Sequence, residues 1–122
     1  MRKTLIIISF VLIGSITQAQ QKNLRVSIEV DGVCMMCKKR IEKAALNTQG
    51  VKFASWDVKT HQLSLIIDEK KTSIKVIKKN IAAVGHDTKE IKATQDAYNS
   101  VNPCCKYRDK KAVENHGKGH GH

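Results

Sequence analysis

Across residues 24–67 the spacing of apolar side chains changes from two to three or four and back to two, and this double switch restricts the chain to few folds. Leu24, Val26, Ile28 and Val30 alternate with Arg25, Ser27 and Glu29, the period of a strand with one buried face. Asp31-Gly32 interrupts the alternation, and from Cys34 onward Cys37, Ile41, Ala44, Ala45 and Thr48 fall on one side of a helix that Gly50 stops. Alternation returns at Ala54, Trp56 and Val58, and again at Leu63, Leu65 and Ile67 after a turn-like segment at 59–61, which predicts a hairpin. Thr72 or Ser73 can cap a second helix with the buried stripe Ile74, Ile77, Ile81 and Val84, closed by Gly85. A weaker last strand is expected over 87–93. The order strand, helix, strand, strand, helix, strand predicts an α+β sandwich, a four-stranded antiparallel sheet with two helices on one face, over residues 23–93.

Upstream, Arg2 and Lys3 precede an apolar run at 5–16, and Thr17-Gln18-Ala19 supplies small residues where signal peptidase needs them. Residues 1–19 therefore read as a secretory signal peptide, and the product is expected across the inner membrane, in the periplasm. The run is shorter than the roughly 20 residues of a membrane-crossing helix, and no later segment is apolar enough, so an integral membrane protein is not expected. Losing the leader removes two of the 22 Lys and Arg and none of the 11 acids, so the exported chain stays strongly basic. Export takes away the usual nucleic-acid partner, and no aromatic-rich basic stripe is present, so nucleic acid is not an expected partner. The charge reads as a solvated Lys-rich surface, the alternative being attraction to anionic envelope lipids or an acidic protein.

Cys34 and Cys37 carry the chemistry. Two cysteines separated by two residues can turn both sulfurs toward one soft metal ion. Cys34 falls in a loop and Cys37 in the first helical turn, where unpaired amides and the helix dipole favour a thiolate. Lys38, Lys39 and Arg40 add positive charge beside them.

The stretch Asp31-Gly32-Val33-Cys34-Met35-Met36-Cys37, a helix behind it, and the later Ala83-Val84-Gly85-His86-Asp87 resemble the heavy-metal-associated domain family, which includes copper chaperones, domains of copper-transporting ATPases and an exported mercury-binding protein. The resemblance, over residues 24–92, implies a ferredoxin-like fold and metal carriage through Cys34 and Cys37. It departs from the family at Val33, where Met usually anchors the loop, and at His86, where an aromatic or basic residue often stands. Met35 and Met36 offer thioethers, but their apolar stems more commonly pack or contact a partner.

Further candidate ligands lie beyond the pair. His86 is a third ligand or a proton-sensitive neighbour, or else a plain surface turn histidine. Residues 94–122 form an extension of different composition holding Cys104-Cys105 and a tail with His116, His120 and His122. Adjacent cysteines strain an internal disulfide. The pair is a second soft-metal site, a disulfide partner for Cys34 or Cys37, or a contact for another molecule, with accessory metal binding favoured. The tail histidines alternate with glycine, a composition that either captures copper, nickel or zinc or serves as an inert solubilising tail.

The expected function is binding and transfer of an ion, without catalysis, to a metal-transporting membrane protein or another metal-binding domain. Ligand softness puts copper(I) first, mercury(II) second, and zinc or cadmium behind. The rival is a thiol–disulfide oxidoreductase, since an exported Cys-x-x-Cys is also a redox motif. Against it, no aromatic precedes Cys34 and the only proline is Pro103. A third reading is an interaction domain in which the cysteines merely pair. Scattered acids and the lack of a glycine-rich phosphate loop leave no hydrolytic constellation.

Overall fold

In the computed structural model, which describes residues 23–118, the first alternating run becomes β1 (Asn23–Glu29). It is followed by α1 (Met35–Leu46), β2 (Val51–Trp56), β3 (Gln62–Asp68) and α2 (Ile74–Ala83). The strands form an antiparallel sheet in the order β1-β3-β2. Its register places Ile28 and Trp56 on either side of Leu63, and Val26 and Ala54 on either side of Leu65. Every second residue therefore faces the helices, and Ile28, Trp56, Leu63, Leu65 and Ile67 are buried with Cys37, Ile41, Ala44 and Ala45 of α1 and Ile77 and Ile81 of α2.

Polar bonds set where the helices lie. Ser73 caps α2, its Oγ accepting from the Val76 N–H, which supplies one of the amide partners a helix start lacks. Thr48 Oγ1 donates to the Ala44 carbonyl at 3.1 Å and accepts from Asn80 Nδ2 at 2.8 Å, tying the end of α1 to α2. Between β2 and β3, the Asp57 carboxylate accepts the Lys59 and Thr60 N–H groups and closes the hairpin. His61 takes a positive φ of 62° there and stacks on Trp56, centroids 5.6 Å apart.

The sheet differs from expectation at its fourth strand. Over 87–93 the chain makes a single bridge, Val30 with Thr88, on the outer side of β1 where that strand would sit. The bonds a ladder would use are taken locally. Thr88 N–H donates to the Ile91 carbonyl, Ile91 N–H donates to Thr88 Oγ1, and Ala93 N–H donates to the Asp87 carboxylate, the competition that Thr and Asp side chains offer to regular structure.

The extension folds back onto this domain. Thr94 caps the short α3 (Gln95–Asn99) by accepting from the Ala97 N–H, a 3₁₀ turn spans Pro103–Cys105, and α4 covers Lys110–Lys118. Tyr98, Val101 and Cys105 are buried. Tyr107 donates its hydroxyl to the Gly85 carbonyl at 2.6 Å. Arg108 grips Asp87 through two nitrogens, at 3.0 and 2.7 Å, and also donates to the Ala93 carbonyl, the fork geometry that makes arginine a strong clamp. Among the described residues no helix is long and apolar enough to cross a membrane. The expected leader at 1–19 and the tail residues His120 and His122 lie outside the described residues, and so does the side chain of His116.

Candidate metal centre

The loop after β1 is held from below. Trp56 fills the space under it, its Nε1 donating to the Val30 carbonyl at 3.0 Å, and a Cβ on Gly32 would sit 3.0 Å from the indole ring, so glycine lets the backbone come close to the ring. Val33 packs on the edge of the core at the position where the family more often carries Met. Cys34 is the N-cap of α1 and gives the helix no side-chain cap bond, and the first turn has no acidic residue. The amides at the helix start are thus left for the sulfurs, the arrangement that stabilises thiolates.

Four thiols gather at this point. Cys34 Sγ lies 3.3 Å from Cys37 Sγ and 3.2 Å from Cys105 Sγ, and Cys105 Sγ lies 3.9 Å from Cys104 Sγ. The sulfurs of Cys34, Cys104 and Cys105 all fall within 4.8 Å of one another. These are nonbonded separations, well beyond the roughly 2.05 Å of a disulfide. Met36 extends the cluster, its Sδ accepting from Cys104 Sγ at 3.4 Å and from Asn102 Nδ2 at 3.6 Å, while Met35 is exposed.

The thiols are not equivalent. Partial burial opposes ionisation of Cys34, but the Cys37 amide, the Cys105 and Cys37 thiols and the Met36 amide together outweigh it and hold the thiol below its ordinary pKa. Burial raises Cys37, pushes Cys104 up to about 11 and pushes Cys105 up to about 12, the crowding of thiols adding to the last two. Cys34 is therefore the sulfur most ready to meet an incoming ion.

The expected basic collar is partly committed elsewhere. Lys38 donates to the Trp56 carbonyl at 2.8 Å and pairs with Glu42. Arg40 stands beside Cys105 and reaches His86 Nε2 at 3.3 Å.

His86 is fully buried, not a surface turn residue. Its Nδ1 lies 2.8 Å from the Asp31 carbonyl, so in the neutral ring Nδ1–H donates there and Nε2 faces the Arg40 guanidinium as acceptor. Its ring stacks on Tyr107 with centroids 5.4 Å apart, and it is not in the group of metal-capable side chains. Sequence pattern alone missed this supporting layer of Arg40, His86 and Tyr107; two tyrosines and an arginine within an otherwise polar extension were the signal of a docked segment.

Burial lowers the His86 pKa to about 4, the Asp31 carbonyl opposing and Arg40 assisting. Between that value and the unfolded value near 6.5 the unfolded chain binds a proton that the folded chain refuses, so stability falls as pH drops through this window and is unaffected by this group above it. Urea unfolding at pH 7.5 and pH 5 should show His86 costing the wild type about 2 kcal/mol on acidification. His86→Gln should lack that component; an equal loss in both proteins would refute the assignment.

Comparison with known proteins agrees with this geometry. Residues 27–87 match the heavy-metal-associated domain model. The solved CopZ metallochaperone is 29% identical with a TM-score of 0.52, aligning over 53% of this chain and 98% of its own. The N-terminal soluble domains of Bacillus subtilis CopA give 26% identity and a TM-score of 0.51 over 55% of this chain and 46% of theirs. The solution structure of the 'putative copper-ion-binding protein' from Bacillus anthracis shares the fold at 21% identity and a TM-score of 0.54, over 57% of this chain and 99% of its own. No curated protein sequence matches the chain. The ferredoxin-like arrangement of helices on a sheet is the fold of these structures, and, with half of its length inside the matched segment, the chain belongs to the heavy-metal-associated domain family.

Proposed function

We propose that this protein carries a single thiophilic ion, copper(I) in preference to mercury(II), zinc or cadmium, on Cys34 and Cys37 and passes it to another thiol-bearing protein in the cell envelope. The observation that carries the reading is the pair of sulfurs 3.3 Å apart at an uncapped helix start. One of them, Cys34, is biased toward thiolate and partly exposed. Two soft thiolates favour a soft monovalent ion. A site with few ligands near the surface lets incoming thiols bond before the outgoing ones leave, so the ion moves without being released to water.

Kinship to a metallochaperone and to soluble domains of a copper ATPase supports transfer to a metal-transporting membrane protein or another such domain. The location rests on the leader-like residues 1–19 and the envelope on that alone. The protein acts as a carrier and not as a catalyst.

The reduced protein, titrated anaerobically against a copper(I) chelator, should bind copper(I) more tightly than zinc. The double variant Cys34→Ser, Cys37→Ser should lose roughly 100-fold or more in affinity, the order of effect expected when a ligand pair is removed from one chelate. An undiminished affinity in that variant would refute the proposed ligands, and tighter zinc binding by the wild type would refute the choice of ion.

A further inference from the structure

The segment that matches the family ends at Asp87, yet a turn well beyond it delivers two more sulfurs to the same place. Pro103 opens the 3₁₀ turn Pro103–Cys105, and the Cys105 N–H closes it on the Asn102 carbonyl at 2.8 Å. The turn is fixed on both sides. Val101 is buried before it; after it, Lys106 donates to the Tyr98 carbonyl, Tyr107 to Gly85, and Arg108 to Asp87. Ligands held this way lose little freedom when they bind, so geometry set in advance becomes affinity.

That geometry favours three sulfurs over two. With metal–sulfur bonds of about 2.3 Å, a linear ion spreads its two sulfurs roughly 4.6 Å apart, and a trigonal ion sets three at roughly 4.0 Å. Cys34 to Cys37 at 3.3 Å is short for the linear case, whereas Cys34, Cys104 and Cys105 have separations of 3.2 and 3.9 Å and a third within 4.8 Å. To become trigonal that triangle must open its shortest side, Cys34 to Cys105, by about 0.8 Å, less than the roughly 1.3 Å by which Cys34 and Cys37 would have to part around a linear ion. Cys34 belongs to both groupings.

We infer that Cys104 and Cys105 join Cys34 as a three-sulfur station that retains a soft monovalent ion received on the loop until a partner's thiols displace it. The inference rests on the reading of Cys34 and Cys37 as the receiving pair. In the exchange, Cys34 keeps its bond to the ion while Cys104 and Cys105 bond in turn and Cys37 lets go. Each thiol gives its proton to solvent as its sulfur binds, Cys37 takes one back, and no oxidation state changes. Cys104, half-exposed and next to the Met36 thioether, sits on the side where outside thiols can enter. The extension thus turns a site that exchanges readily into one that holds its cargo.

The test loads the reduced full chain with one equivalent of copper(I) and counts sulfurs per copper by X-ray absorption, then follows release to excess bicinchoninate. Three sulfurs are expected in the wild type. Two sulfurs are expected in Cys104→Ser, Cys105→Ala, with release faster by roughly 100-fold, the gain an attached extra ligand commonly gives. The half-exposed position makes Cys104→Ser alone a variant that keeps its fold, checked by circular dichroism, and it should also show two sulfurs. Two sulfurs in the wild type, or three that persist in the double variant, would overturn the station while leaving the loop pair intact. No copper(I) bound by the wild type would instead overturn the receiving pair on which it rests.

Discussion

Truncating Trp56 to alanine is expected to lower the unfolding free energy by about 3–5 kcal/mol, the range for removing a large aromatic from a packed core. The residue is 1% exposed, and its ring is at once a core member beside Leu63 on the sheet face that α1 covers and the floor on which Gly32 rests. Deletion would leave a cavity directly beneath the sulfur loop, and the Val30 carbonyl would lose its indole donor. Trp56→Phe separates these effects, keeping most of the ring and removing the donor, and should cost about 1–3 kcal/mol. Trp56 is the only tryptophan, so unfolding should be followed by circular dichroism in urea. A loss below about 1 kcal/mol for the alanine variant would mean that the loop does not depend on this floor.

Gly85→Ala should damage the molecule from the opposite side. Gly85 has φ +103°, and a Cβ there would stand 2.6 Å from both the Ala97 carbonyl oxygen and Val101 Cγ1. The backbone conformation alone costs an L-residue about 1–2 kcal/mol, and forcing extra volume into a filled contact adds about 1–3 kcal/mol. Because one obstacle is backbone, relief comes only by moving α3 away from the end of α2. That movement carries Val101 and Cys105 with it. The variant should therefore lose about 2–5 kcal/mol in urea unfolding and expose the buried Cys105 to thiol reagents that react slowly with the wild type. Unchanged stability together with unchanged thiol reactivity would show that the extension is not held through Gly85.

The five regular elements of the domain, β1, α1, β2, β3 and α2, were legible because each has a period and a terminator. Cys37, Ile41, Ala44, Ala45 and Thr48 fall on the predicted inner side of α1 and are all buried, as are Leu63, Leu65 and Ile67 of β3. Ser73, one of two candidates for the cap of α2, takes that role. The expected last strand is reduced to a single bridge from Thr88 to Val30, because Thr88 and Asp87 spend their side chains on nearby amides, a choice that periodicity does not register. His86 gave no clue to its burial, since the residues that surround it, Asp31, Arg40 and Tyr107, come from three distant segments. Convergence of Cys104 and Cys105 on Cys34 was hidden for the same reason. A contact 71 positions apart follows from where the extension docks, and the docking is fixed by Tyr107 and Arg108 meeting the backbone of Gly85 and the carboxylate of Asp87.

The direction of β1 has a consequence for how the molecule can be approached. Asn23 pairs with Asp68 at one end of the sheet, and Glu29 pairs with Gln62 at the other, just before the chain turns into the cysteine loop. The six steps from Asn23 to Glu29 separate the poles by roughly 20 Å at about 3.3 Å per residue. A label, surface linker or fused protein joined ahead of Asn23 would be tethered at the pole remote from the sulfurs, leaving the working end open to a visitor.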